Sequence, residues 1–256
     1  MLNFNDILSF YPKKYHAFRK NILKEYLQYK ILDIIFSTKY AQKIIFLGGT
    51  SIRIIHNSPR FSEDIDFDNF NLTLSDFKQI SQIIKHRMQL DGYTVEIRNV
   101  FKGAYHCYIK FPGVLFENRL SGYKEEKILI QLDTEPQGYK YTPEKYLLNK
   151  FGLFRYLNTV PVSLLLAQKI CAILTRKREK GRDFFDVVYL MSKTGPDFKF
   201  LKSKVNIGSK KGLITALKKK SKNLNLKLLA KDIEPFLFDS DKKNYVLYFK
   251  DWLNTL

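Results

Sequence analysis

Cysteine is scarce in this chain: two among 256 residues, Cys107 and Cys171, in unrelated contexts and without CxxC or CxxH spacing. That excludes a disulfide framework, gives a zinc site no support, and fits a reducing, cytoplasmic setting. Acidic residues are also few, 25 Asp and Glu against 44 Lys and Arg, which leaves a formal charge of +19 at pH 7. A balance so far from neutral points to a polyanionic partner. Long apolar runs are missing. The longest, around 160–167, are far short of the roughly 20 residues that cross a bilayer, and residues 1–14 show no basic patch followed by an uninterrupted apolar stretch. The chain therefore reads as neither exported nor membrane-spanning. His16, His56, His86 and His106 are scattered without HxxxH pairing, and no Ser or Cys stands in a nucleophile-elbow context. Metal-hydrolase and catalytic-triad chemistry have no footing.

What is present is enough for a core: 45% hydrophobic residues, with 21 Phe and 16 Tyr that could pack inside or stack on bases. With no internal repeat or low-complexity segment, and no linker rich in Gly, Ser or Pro, any boundary has to be read from a change of pattern. That change falls within 136–160. Before it, β-rich runs (43–47, 65–70, 94–100, 104–111, 127–133) alternate with helical patterns such as 75–90. After it, apolar residues recur at three- and four-residue spacing over 162–174, 184–191, 213–217 and 245–253, with Pro161 suited to a first helical turn. The expectation is an α+β chain. An α/β domain with a mixed sheet, over 1–150 and including an N-terminal helical segment, precedes a basic helical domain over 151–256. Residues 176–231 hold 17 Lys and Arg against Glu179, Asp183, Asp186 and Asp197, a surplus of 13 in under a quarter of the chain.

The chemistry-bearing stretch runs Phe46-Leu47-Gly48-Gly49-Thr50-Ser51-Ile52-Arg53 and then Pro59-Arg60-Phe61-Ser62-Glu63-Asp64-Ile65-Asp66-Phe67-Asp68. A strand ending in Gly48-Gly49 lets the backbone turn tightly and approach a ligand. A helix from Thr50 would then offer free N–H groups and a positive dipole end to a phosphate. Asp64 and Asp66 lie two apart in a strand pattern, so both carboxylates project from one face while Ile65 and Phe67 pack behind. Two carboxylates aimed at one point repel unless a cation lies between them. Mg²⁺, which takes one or two carboxylates and completes its shell with substrate phosphates, suits the place. The other reading of such a pair is a solvated strand face.

This arrangement resembles the polymerase-β-like nucleotidyltransferases, in which a Gly-Gly or Gly-Ser turn precedes a metal-binding Asp-x-Asp. The fuller string, GGT followed by RFSEDIDF, is similar to the AbiEii/AbiGii branch, the nucleotidyltransferase toxins of type IV toxin–antitoxin and abortive-infection systems. The resemblance implies a third carboxylate on a neighbouring strand. In Ile128-Leu129-Ile130-Gln131-Leu132-Asp133-Thr134-Glu135 the better candidate is Asp133, as metal ligand or as proton acceptor for an attacking hydroxyl, with Glu135 of the same parity in reserve. A strand-end aspartate facing water is the alternative. The family also carries a Lys in an apolar helix followed by an Arg-Asp-x-x-Asp helix start, matched here by Lys169 within 164–174 and by Arg182-Asp183-Phe184-Phe185-Asp186.

Lys169 shares a helical stripe with Val162, Leu165, Leu166 and Ile173, where an ammonium is costly to bury unless it meets an anion. It reads either as a clamp on the β/γ-phosphates of a nucleotide or as a lysine snorkelling from the core. Asp183 reads as an N-cap or as part of the active-site surround, and Asp186 follows one turn later. Together these features imply a cytoplasmic enzyme that holds an NTP between its two domains, through Gly48, Gly49, Thr50 and Lys169. With Mg²⁺ or Mn²⁺ on Asp64, Asp66 and Asp133, it would transfer NMP to an acceptor hydroxyl. The basic surface, with Lys210-Lys211 and Lys218-Lys219-Lys220, favours RNA as acceptor, although a lysine run is also an ordinary solvated face. The resemblance narrows the RNA to tRNA and adds an antitoxin from a neighbouring gene. A protein or small-molecule hydroxyl as acceptor, and a non-catalytic nucleic-acid-binding module, are the competing readings.

Overall fold

A computed structural model describes residues 2–256, which divide into two compact units. The first runs to Ser51 and resumes over Ser62–Thr159; the second joins Ile52–Phe61 to Val160–Leu256.

The first unit opens with two helices, α1 (Phe4–Ser9) and α2 (Arg19–Phe36). Next come β1 (Ile44–Leu47), α3 (Gly48–His56), β2 (Ile65–Asn69), α4 (Leu74–Leu90), β3 (Glu96–Lys102), β4 (Ala104–Pro112), α5 (Val114–Glu117), β5 (Lys127–Glu135), β6 (Glu144–Lys150) and β7 (Leu153–Thr159). The second half of α3 already counts with the second unit. The strands form a sheet in the order β3-β4-β5-β2-β1-β7-β6. β5 lies parallel to β2, and β7 parallel to β1, while the other pairs are antiparallel, so the sheet is mixed as expected.

Alternation decides which face is core. On β5, Ile128, Ile130, Leu132 and Thr134 are buried, and the residues between them face the other way. The buried face meets aromatic side chains of the helices: Phe36 of α2 lies 6.1 Å from Phe67, and Phe77 of α4 lies 5.5 Å from Tyr105, ring to ring. Each such buried ring stabilises the unit by roughly 1.5–3 kcal/mol. Helix α4 is set by a capping box, Thr73 with Asp76, and buries Phe77, Ile80, Ile84 and Met88 at helical spacing.

The second unit is helical from Val160 on: α6 (Val162–Thr175), α7 (Gly181–Met191), α8 (Phe198–Val205), α9 (Lys210–Ser221), α10 (Leu226–Ile233), α11 (Asn244–Leu247) and α12 (Phe249–Trp252). The expected boundary at 150/151 falls between β6 and β7. The units divide instead at Thr159 and Val160, because β7 pairs with both β6 and β1 and so cannot leave the sheet. Pro161 caps α6 rather than entering its first turn, and the helix expected over 245–253 is broken at Tyr248. Among the described residues no helix is long and apolar enough to cross a membrane.

Candidate active site

Strand register builds the site in the first unit. Leu47 of β1 is paired with Asp66 of β2, Asp66 with Asp133 of β5, and Asp133 with His106 of β4. Residues opposed on neighbouring strands project to the same face, and parallel neighbours lie about 4.8 Å apart. Asp66, Asp133 and His106 therefore form one row on the face opposite buried Phe67 and Leu132. Asp64 stands immediately before β2 and shares the parity of Asp66.

The Gly-Gly turn closes on this row. Gly48 has φ +81, in the left-handed region, and a Cβ at that position would fall 2.0 Å from Oδ2 of Asp66 and 2.8 Å from its Cβ. Glycine is required here twice over, for its backbone conformation and for the close approach of the carboxylate. Helix α3 starts at Gly48 itself, two residues ahead of the expected start at Thr50. Thr50 is buried, and its Oγ1 donates a hydrogen bond to the carbonyl of Asp64, tying the helix start to the strand entry.

Asp133 is held by residues whose roles the sequence did not suggest. His106 Nδ1 donates to its Oδ1 at 2.7 Å, and Gln131 Nε2 donates to both carboxylate oxygens at 2.8 and 2.9 Å. Strand pairing joins His106 to Asp133 across 27 residues of sequence, a relation that becomes visible only with the sheet. Glu135, the reserve for Asp133, is paired with Asp68 and so lies two residues along from the Asp66–Asp133 pair. Asp68 is buried and accepts hydrogen bonds from the Gln137 backbone at 2.9 Å and the Tyr141 hydroxyl at 2.8 Å. Burial, with the Asp68 carboxylate adding to it, holds the Tyr141 phenol protonated far above the usual range.

Among the described residues no three His, Cys, Asp or Glu side chains converge into a metal cage, so Asp64, Asp66 and Asp133 are not drawn into a single three-ligand cluster. The donor set nonetheless fits Mg²⁺ or Mn²⁺. Asp66 and Asp133 are registered carboxylates on adjacent strands, and Mg²⁺ is ordinarily bound by one or two carboxylates together with water and phosphate oxygens rather than by an all-protein shell.

The other predicted residues gather in the second unit, in a buried network of alternating charge. Lys169 Nζ lies 3.1 Å from Asp183 and 2.9 Å from Asp186. Arg60 makes a two-pronged pair with Asp186, through Nε at 2.8 Å and Nη2 at 2.6 Å, and Arg176 Nη1 reaches Asp183 at 2.9 Å. Asp183 does not cap its helix: α7 has Lys180 at the N-cap, and Asp183 lies in the first turn with its carboxylate turned to Lys169 and Arg176. Nor does Lys169 snorkel to water, since its side chain is 13% exposed and its ammonium rests between two carboxylates. Burial works to lower the Lys169 pKa, but Asp186 and Asp183 outweigh it and hold the ammonium above the ordinary lysine value. Burial likewise pushes the Asp186 carboxyl up, and Arg60 and Lys169 reverse this, leaving it below the ordinary aspartate value.

The lysine run lies on α9, where Leu213 and Leu217 are buried and Lys218 and Lys219 are exposed; Lys220 pairs with Glu179 at 2.9 Å.

Comparison with known proteins bears on the family and the fold. The family model described as "Nucleotidyl transferase AbiEii toxin, Type IV TA system" matches residues 30–250. No curated protein sequence matches the chain. Among solved structures, the chain is similar to JHP933 from Helicobacter pylori, with TM-score 0.55 and 15% identity over 92% of each chain. It is also similar to a protein of H. pylori provisionally assigned as a nucleotidyltransferase, with TM-score 0.56 and 15% identity over 92% of this chain and 95% of that one. At such identities the likeness establishes the fold.

Proposed function

The chain belongs to the AbiEii nucleotidyltransferase toxin family of type IV toxin–antitoxin systems, and from that premise we propose that it transfers NMP from an NTP to a hydroxyl of RNA, tRNA in particular, with Mg²⁺ or Mn²⁺ as cofactor. The observation that carries the reading is the packing of the Gly48 turn against Asp66, whose strand partner is Asp133. It joins a phosphate-facing helix start to paired carboxylates.

In this reading Gly48, Gly49 and Thr50 receive the phosphates at the start of α3, while Asp64, Asp66 and Asp133 hold the divalent ion. When bound there, a divalent ion would supply charge neutralisation on the phosphate oxygens as the acceptor oxygen displaces pyrophosphate in line at the α-phosphate. Asp133, backed by His106, is placed to accept the proton of the attacking hydroxyl. Within the second unit, Asp186 and Asp183 keep the Lys169 ammonium charged, the state that a phosphate contact would require. The surplus of 13 positive charges over 176–231 supports a polyanionic acceptor. The family itself implies an antitoxin as partner. A cytoplasmic site of action follows from tRNA as substrate.

Incubation of the purified protein with each labelled NTP and total RNA tests the proposal. Label should enter RNA only with Mg²⁺ or Mn²⁺ present, and folded Asp64→Asn and Asp66→Asn variants should lose at least about 100-fold in rate, the loss of several kcal/mol of charge stabilisation. A folded Asp66→Asn enzyme with more than about a tenth of wild-type transfer would overturn it. Label found in protein or in a small molecule, with RNA unlabelled, would reassign the acceptor. Expression in a bacterial host should slow growth for the wild type and not for Asp66→Asn.

A further inference from the structure

The chain enters the carboxylate strand through residues 61–64, which have no regular secondary structure. Such a segment has two soft dihedrals per residue and no ladder to fix them, yet it determines where Asp64 stands beside the strand-registered Asp66. Side chains fasten its carbonyls one after another. Arg60 Nη1 donates to the carbonyl of Phe61 at 2.9 Å, and Thr50 Oγ1 donates to that of Asp64. The two between, of Ser62 and Glu63, both accept from Nε2 of Gln28, at 3.0 and 2.9 Å.

Gln28 lies in the middle of α2 and is 1% exposed. Both of its partners are carbonyl oxygens, which only the NH₂ end of the amide can satisfy, so the orientation of the group is fixed and both hydrogens are used. Burying a polar side chain in a helix otherwise packed with Leu23, Leu27, Ile31 and Leu32 is unfavourable unless its hydrogen bonds are made. Here they are made to two consecutive peptide groups directly ahead of Asp64.

We propose that Gln28 is a positioning residue for the metal-binding carboxylates: its amide clamps the peptides of Ser62 and Glu63 and so sets the placement of Asp64 against Asp66, which the sheet holds in register. The proposal rests on the reading of those two aspartates as metal ligands. Misplacement of a reacting constellation by about 1 Å is enough to cost on the order of 100-fold in rate, and the clamp is two hydrogen bonds wide.

The test uses the full chain with Gln28→Met, which removes both donors at similar volume. In metal-free protein, hydrogen exchange over 60–66 should quicken about tenfold, the loss expected from one to two net hydrogen bonds, while α4 and β7 keep their protection. With NTP and RNA, kcat should fall roughly 10- to 100-fold with KM for the nucleotide within about threefold, and Mn²⁺ affinity measured by EPR should weaken. A packing defect alone would lower thermal stability without that split. If Gln28→Met does not fold, Gln28→His keeps one ring donor, and intermediate losses in exchange protection and kcat are expected of it. Wild-type exchange over 60–66 together with wild-type kcat, in either folded variant, overturns the proposal. Asp66→Asn separates the two claims: if it retains transfer, the metal reading fails, whereas the clamp on the segment stands or falls on the exchange measurement alone.

Discussion

Asp133 in the first unit and Asp186 in the second are both aspartates held by two side chains, yet they are held in opposite ways. Asp133 is 29% exposed and takes its hydrogen bonds from Gln131 and His106. Asp186 is fully buried between Arg60 and Lys169, two cations that balance its charge. A chain with only 25 acidic residues against 44 basic ones has thus spent some of them on internal neutralisation and kept others on an accessible sheet face. Nearness to a helix start or to a lysine therefore does not identify a metal carboxylate. What does is a carboxylate whose partners an incoming cation can join or replace, because a buried ion pair loses several kcal/mol when one member is removed.

The comparison is broken most severely at Asp186. Asp186→Asn should destabilise the protein by about 3–5 kcal/mol, because Arg60 and Lys169 are left as buried, undercompensated cations. Urea denaturation would show it, and Asp133→Asn should cost far less by the same measurement. Equal losses would mean that the two aspartates are not held differently after all.

Gly48→Ala sharpens the first half of the contrast. The left-handed backbone alone costs roughly 1–2 kcal/mol for a residue with a Cβ, and the added methyl would collide with the Asp66 carboxylate. Nucleotide transfer should therefore fall further than stability does. A Gly48→Ala enzyme with wild-type transfer would detach the turn from the carboxylate row.

The pH dependence of stability distinguishes the units more gently. The Asp186 carboxyl lies below its ordinary value of 3.8 when folded, so its contribution is complete above that value and fades as pH falls through the depressed one. Lys169 lies above its ordinary 10.5, so its contribution is complete below that value and is lost as pH rises through the raised one. The network should be at full strength from about pH 4 to 10. Urea midpoints measured from pH 2 to 7 should fall at the acid end in wild type, and that fall should be shallower in Asp186→Asn.

The smallest effect on stability is expected for Lys218→Glu, Lys219→Glu and Lys220→Glu together, within about 0.5–1 kcal/mol, since two of these side chains are exposed and Lys220 makes a surface pair with Glu179. RNA binding should respond more strongly. With about five phosphate contacts the log–log salt slope would be roughly −3 to −5, and the triple variant should flatten it by about 2–3. An unchanged slope would leave α9 an ordinary solvated face.

The motif half of the site was legible because its geometry is local. Two glycines after a strand, and two carboxylates at strand spacing, keep their meaning in any fold that contains a strand, a turn and a helix. The pairing of Asp66 with Asp133, and of His106 with Asp133, depends on sheet order and could not be read from the residues. Strands β6 and β7 were missed for a compositional reason. Glu144, Lys145 and Asn149 lie exposed on β6, and the aromatics Phe154 and Tyr156 on β7 are 66% and 63% exposed, so polarity and apolarity do not follow the two faces. Glu25 and Gln28 gave no signal of their roles. Three apart on α2, both polar side chains are buried, one accepting from the Tyr11 hydroxyl at 2.7 Å and the other donating to the strand entry. Arg60 and Asp186 find each other across 126 residues, a distance over which sequence pattern gives no guide.

On the proposed reading the carboxylates on the sheet face, and not those in the buried network, bind the divalent ion. Titration of Mn²⁺ into the folded protein, followed by EPR, tests it most directly. Mn²⁺ should bind to wild type, fail to bind to Asp66→Asn, and still bind to folded Lys169→Met. Binding unchanged in Asp66→Asn, or abolished by Lys169→Met while the protein stays folded, would contradict it.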